Sequence, residues 1–166
     1  MALFTYSPEQ VNCLIGGFIN IEGYVDGTFI DISKDVMPFT SVRTPDGTVA
    51  RMYNNDQTYT ISLTLHIGSS SNDTLTKLWQ LDEITQRGKF PLFIKDFSGS
   101  DLFFSTNTWV EQVPSIVKSK GVDSRTWVLR SSQAVINVGS NADPSSLIED
   151  LTNIAISALP ALEGII

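Results

Sequence analysis

A chain of 166 residues falls in the range of roughly 100 to 200 residues that one domain occupies, and it is long enough to bury a core of its own. Charged residues make up 17% and hydrophobic ones 42%, which excludes a disordered polyelectrolyte and a long coiled coil. Eighteen acids against eleven bases leave a formal charge of -7, which argues against a protein that grips nucleic acid or anionic lipid.

The net negative charge sits at the ends. Residues 1–33 carry Glu9, Glu22, Asp26 and Asp31 without a base, and residues 139–166 carry Asp143, Glu149, Asp150 and Glu163 without a base. The opening MALFTYSPEQ has neither the basic nor the apolar region of a secretory signal, and the single Cys13 has no internal disulfide partner, so folding in a reducing cytoplasm is expected. The apolar stretch IAISALPALEGII is interrupted by Pro160 and Glu163 and falls short of the ~20 apolar residues a spanning helix needs. No membrane association is expected.

In chain order, VNCLIGGFINI reads as strand with a bulge at Gly16-Gly17, and TFIDISK as a second strand after the Asp26-Gly27 turn. FTSVR and TVARMYN flank Thr44-Pro45-Asp46-Gly47, residue types that favour chain reversal, and so predict a hairpin. Over 57–67, Tyr59, Ile61, Leu63, Leu65 and Ile67 alternate with Thr58, Thr60, Ser62, Thr64 and His66. That period of two predicts a strand with one apolar and one hydroxyl-rich face. Its lack of charge or proline implies edges that are already paired or are continued by another subunit.

Residues 73–87 predict a helix, capped by Ser71 or Asn72, with Leu75, Leu78, Trp79 and Leu81 on one face and Gly88 ending it. The formal sequon Asn72-Asp73-Thr74 is read as this cap. Three further strands are expected in FPLFIKDF, DLFFSTNTWVEQV and RTWVLRSSQAVINV. A last helix is expected from Asp143 as N-cap and Pro144 at its first position, with Leu147, Ile148, Leu151, Ile154, Ala155, Ala158 and Leu159 as an apolar stripe.

No residue set converges on catalysis or on a cofactor. One histidine and one cysteine cannot build a zinc site. His66 lies on the polar side of a regular strand, where a surface or interface role is favoured over general base. Asp82-Glu83 and Glu149-Asp150 are neighbours about 100° apart on a helix and make no carboxylate dyad. Gly16-Gly17 lacks phosphate-loop spacing, and Trp79, Trp109 and Trp127 read as core residues rather than a stacking platform.

The order of motifs carries a resemblance: GYVDGTFI at 23–30, DGTVAR at 46–51, YTISLTL at 59–65, the helix around Leu78-Trp79, FPLFIKD at 90–96 and TWVLR at 126–130. Over about residues 12–138 this resembles the tail tube proteins of contractile-tailed bacteriophages, which are similar in fold to the needle-tube subunit of type VI secretion systems. The resemblance implies a mainly β fold, a β-sandwich or barrel with a flanking helix, in one domain spanning 1–166 with a C-terminal helical extension from about 140. It implies hexameric rings whose sheets join into a continuous barrel and stack into a conduit for DNA ejection, with no enzymatic activity and no cofactor. It also implies partners among sheath, baseplate, tail terminator and tape measure proteins. The setting it implies is a virion tail assembled in the host cytoplasm, with DNA passing through without specific binding.

Carried onto this sequence, the inter-ring docking candidates are Arg43, Thr44, Pro45, Asp46, Gly47 and Arg51, and the channel-lining candidates are Thr58, Thr60, Ser62 and Thr64. The alternatives are a tube subunit of a contractile injection or type VI secretion system, and a small-ligand-binding β-barrel walled by Tyr59, Ile61, Leu63 and Leu65. A hydrolase built on serine and His66 is the weakest alternative.

Overall fold

A computed structural model describes residues 6–140 and 154–157. A short 3-10 turn at Pro8–Gln10 leads into β1 (Val11–Ile15), β2 (Ile19–Asn20), β3 (Ile30–Lys34), β4 (Phe39–Arg43), β5 (Val49–Tyr53) and β6 (Tyr59–His66). Helix α1 (Ser71–Thr85) follows, then β7 (Phe90–Asp96), β8 (Leu102–Gln112), β9 (Ser124–Ser131) and β10 (Val135–Asn137).

One antiparallel sheet runs β2-β1-β7-β8-β9-β6-β3, with β10 paired to β8, while β4 and β5 form a separate two-stranded sheet. Strand β8 serves two neighbours in succession along one edge: Leu102–Phe104 pair with β10, and Thr108–Gln112 pair with β9. A register shift between Val110 and Gln112 marks a bulge, which bends a strand and raises its twist. The sheet therefore curls around a single core. Cys13, Ile15, Leu92 and Ile94 from one side pack in the same cluster as Ile61, Leu63, Leu65, Trp127 and Leu129 from the other. Residues 21–25 span the gap, with Ile21 N–H donating to Cys13 O and His66 N–H donating to Gly23 O, both at 2.9 Å. Gly23 has φ +80°, and a Cβ there would lie 2.6 Å from Ser69 Cβ, so only glycine fits. The strand path itself is not closed, since β2 and β3 are its two ends.

The mainly β expectation with a flanking helix holds; several local expectations are corrected. Gly16-Gly17 is not a bulge but the turn of a tight hairpin, in which Ile15 pairs with Ile19 and both glycines have positive φ. RTWVLRSSQAVINV is two strands rather than one, broken at 132–134 where the chain steps from the β9 register to the β10 register on β8. Helix α1 ends at Gln86 in the left-handed conformation, two residues before Gly88. Gly88 instead donates its N–H to Asp82 Oδ1. The expected cap at Ser71 or Asn72 is displaced to Ser70, which makes no side-chain cap bond. The C-terminal helix read from Asp143 and Pro144 lies outside the described residues, except for 154–157, which are helical.

Candidate assembly site

Strand β6 realises its alternation fully. Tyr59, Ile61, Leu63 and Leu65 are buried, and Thr60, Ser62, Thr64 and His66 are half-buried on the other face. Both edges of β6 are occupied within the subunit, by β3 and by β9. Of the two outcomes expected for the edges of strand 57–67, already paired or continued by another subunit, the fold shows the first, and the backbone groups of β6 are spent within the subunit. A small-ligand pocket walled by Tyr59, Ile61, Leu63 and Leu65 is corrected, since these side chains are packed into the core. A cavity of about 380 Å³ lies elsewhere, between β3 and the β7-β8-β10 side, lined by Ile30, Ile32, Ile94, Phe103 and Ile136 among others.

The antiparallel register extends the hydroxyl face of β6 across three strands. Thr60 stands between Ser33 and Arg130, Ser62 between Asp31 and Val128, and Thr64 is opposite Thr126. Directly paired residues share a sheet face. Of the channel-lining candidates, Thr60, Ser62 and Thr64 thus lie together, while Thr58 precedes the strand and donates its hydroxyl to Asp56 Oδ1 at 2.7 Å. Asp31 and Arg130 are the charged residues that β3, β6 and β9 place on this face. Arg130 Nε lies 3.7 Å from Asp35 Oδ2, and Thr60 Oγ1 donates to Asp35 Oδ1. The Thr60 hydroxyl, aided by Thr58 and by the Arg130 charge, holds the Asp35 carboxyl below the ordinary range. Trp109, expected in the core, is opposite Arg130 and donates Nε1–H to Glu111 Oε2 at 2.6 Å.

Helix α1 lies on the opposite side of this sheet. Asn72, in its first turn, accepts the indole N–H of Trp127 at 2.8 Å, and Trp127 is buried on the core face of β9. The far half of α1 leaves Leu81 and Ile84 exposed.

The hairpin β4–β5 is exposed along its whole length, and no other described strand pairs with it. Its turn is ordered by its own residue types. Thr44 N–H donates to Thr48 O at 2.8 Å, Gly47 N–H to Thr44 O at 3.0 Å, and Thr48 N–H to Asp46 Oδ1 at 3.0 Å. The Thr44 hydroxyl also donates to Asp46 Oδ1. These donors hold the Asp46 carboxyl below its ordinary value. Gly47 takes φ +89°, a conformation that favours glycine. Thr44, Pro45, Asp46 and Gly47 therefore form the tip, with Arg43 at its base opposite Val49. Arg51 sits farther down, opposite Ser41, with its guanidinium 3.9 Å from the Phe39 ring centroid. Phe39 and Tyr53 are paired, with ring centroids 5.5 Å apart. Val42, Val49, Met52 and Tyr53 remain exposed. A lone two-stranded hairpin is marginally stable in water, and one with apolar side chains on both faces calls for a partner surface.

Among the described residues, no group of three histidine, cysteine or carboxylate side chains is placed to hold a metal ion. Cys13 is buried, and its thiol is pushed up to about 12 by burial.

No known family model matches the chain. Structural protein ORF10 of Pseudomonas phage KPP10 is 28% identical over 153 residues, covering 88% of this chain and 88% of that protein. Among solved structures, the fold is similar to the PVC sheath/tube terminator of an extracellular contractile injection system in its extended state. The TM-score is 0.53 at 16% identity, over 83% of this chain and 100% of the other. It is also similar to a chain of the PVC sheath-tube complex in its extended state, with a TM-score of 0.50 at 17% identity, over 81% of this chain and 92% of that one. The chain shares its fold with both of these chains, and at the level of fold the resemblance carried by its motifs holds.

Proposed function

We propose that the protein is a non-enzymatic structural subunit of a contractile phage tail, forming rings that stack into the inner tube through which DNA leaves the virion. The observation that carries this reading is the division of labour in the fold. A hydroxyl-rich face over Thr60, Ser62 and Thr64 lies on one side of the sheet, α1 lies on the other, and an exposed apolar hairpin extends beyond the sheet. Among the described residues this face carries few charges, Asp31, the Arg130–Asp35 pair and Glu111 beside Trp109, and it suits the lumen of a DNA conduit because it offers no basic surface to grip a polyanion.

The kinship to a phage structural protein, and the tube and terminator folds, support this reading over a soluble binding module. Six subunits per ring is the symmetry implied by the resemblance. Sheets would join through the outer edge of β3, which pairs only with β6 within the subunit, rather than through β6. The subunits would meet the sheath with the α1 side outward, carrying Leu81 and Ile84.

A terminator role is the second reading, favoured by the similarity to the sheath/tube terminator. Negative-stain electron microscopy of the purified protein over a concentration series separates the two. Hollow tubes that lengthen with concentration support a tube subunit, single rings that never stack support a terminator, and monomers at all concentrations contradict both.

A further inference from the structure

On the tube reading, the place of a surface that receives the hairpin follows from strand register. Lys34, Tyr59 and Ser131 stand together at one end of β3, β6 and β9, and His66 and Ser124 stand at the other. The hairpin leaves after Lys34 and returns before Tyr59, at the first end. The β8–β9 connection, residues 113–123, enters β9 at Ser124, at the second end. Eight residues of strand separate the two by about 23 Å, so the hairpin and this connection occupy opposite ends of one subunit.

The connection exposes Ile116 by 79%, Val117 by 55% and Val122 by 82%. It is a held loop: Ser119 Oγ donates to Asp123 Oδ2 at 2.9 Å, and Ile67 N–H donates to Asp123 O at 3.1 Å. The same end gathers exposed acids from other elements. Glu22 N–H donates to Ser71 Oγ at 2.9 Å, Asp73 lies in the first turn of α1, and Asp26 follows Tyr24, which bridges Leu65. The hairpin is the complement of this end. It offers Val42, Val49, Met52 and Tyr53 with Arg43 and Arg51, and its acid, Asp46, suits Lys118 or Lys120 of the connection.

We propose that the end formed by Ile116, Val117 and Val122, framed by Glu22, Asp26 and Asp73, receives the β4–β5 hairpin of a second copy of this chain. Apolar side chains exposed on both partners are then covered, and the arginines meet carboxylates. Because donor and receptor lie at opposite ends, the contact is head-to-tail and leaves a free receptor at every step. Such a contact propagates into a filament instead of closing a dimer.

The test is cross-linking of assembled protein carrying Pro45→Cys and Val122→Cys, with Cys13 left buried, using a short bismaleimide and each single variant as a control. A ladder of covalent multimers from the double variant alone is the expected result. If wild-type tubes are visible but the double variant gives no ladder, or if Pro45→Cys alone gives dimers, the receptor assignment is overturned while the tube reading stands. If wild-type protein forms no tubes, both fall. A second pair of variants guards against misfolding. Glu22→Lys with Asp26→Lys should raise the concentration needed for tubes at least tenfold, and adding Arg43→Glu with Arg51→Glu should restore most of that loss. Unchanged assembly in the lysine variant contradicts the proposal.

Discussion

Asn72 and Trp127 are joined across the interior by an indole N–H to amide oxygen bond of 2.8 Å, with both residues buried. Asn72 also donates Nδ2–H to the backbone oxygens of His66 and Ser69, so one side chain ties the start of α1 to the end of β6 and to β9. Replacing Asn72 with Ala strands the Trp127 N–H in the core, and an unsatisfied buried donor costs about 1–3 kcal/mol. Asn72→Ala should therefore lower stability by that amount in urea denaturation, and Trp127→Phe should lose a similar amount by orphaning the Asn72 oxygen.

The hairpin tip should be separable from the fold. Asp46→Ala with Gly47→Ala removes the acceptor for Thr48 N–H and places a side chain at φ +89°, yet both residues are exposed and far from the core. The double variant should keep the far-UV circular dichroism of the wild type and form rings, but fail to stack under electron microscopy. Normal tubes from this variant would remove the tip from the docking contact.

Asp35, Asp46 and Asp56 are all held below their ordinary value of 3.8, chiefly by hydroxyl donors from Thr60, Thr44 and Thr58 respectively. A carboxylate with a lowered folded value contributes stability that is complete above its unfolded value and is lost as pH falls through the folded one. Stability should accordingly be flat near neutrality and decline below about pH 4, with Asp35→Asn weakening that decline. Asp46 is exposed and Asp35 and Asp56 are partly so, and solvent screening keeps the decline shallow.

At the alkaline end the sign reverses. Cys13 is pushed up to about 12 by burial, and Tyr24, whose buried hydroxyl makes no hydrogen bond among the described residues, is also raised, chiefly by burial. Both acids ionise more easily in the unfolded chain, so stability should fall as pH rises through about 9. The native thiol should resist a disulfide reagent at pH 8 and react once the chain is unfolded in urea. Fast labelling of the native protein would place Cys13 outside the core.

The strands most legible in the sequence are those with strict alternation. Tyr59 to Leu65 showed which face is core, and Thr44 to Gly47 marked a reversal from turn chemistry alone. Alternation reports a strand's faces but not its neighbours, and for that reason the pairing of both β6 edges by β3 and β9 could not be read from residues 57–67. The break at 132–134 was likewise hidden, because it is set by where β8 offers a free edge. The hydroxyl face was found residue by residue on β6, but its extension through Ser33, Thr126 and Arg130 depends on long-range register. In the sequence Asn72 reads as a cap, because polar residues before an apolar helix usually are. Its pairing with Trp127, 55 residues later, leaves no local signal.

In the proposed tube the Thr60, Ser62 and Thr64 face lines the lumen of each ring. A cryo-electron microscopy map of the assembled protein is the decisive measurement. The expected map has a ring with β6 tangential to a central channel, the three hydroxyl side chains facing inward and α1 outside. A map with α1 against the channel and these hydroxyls on the outer wall would contradict it.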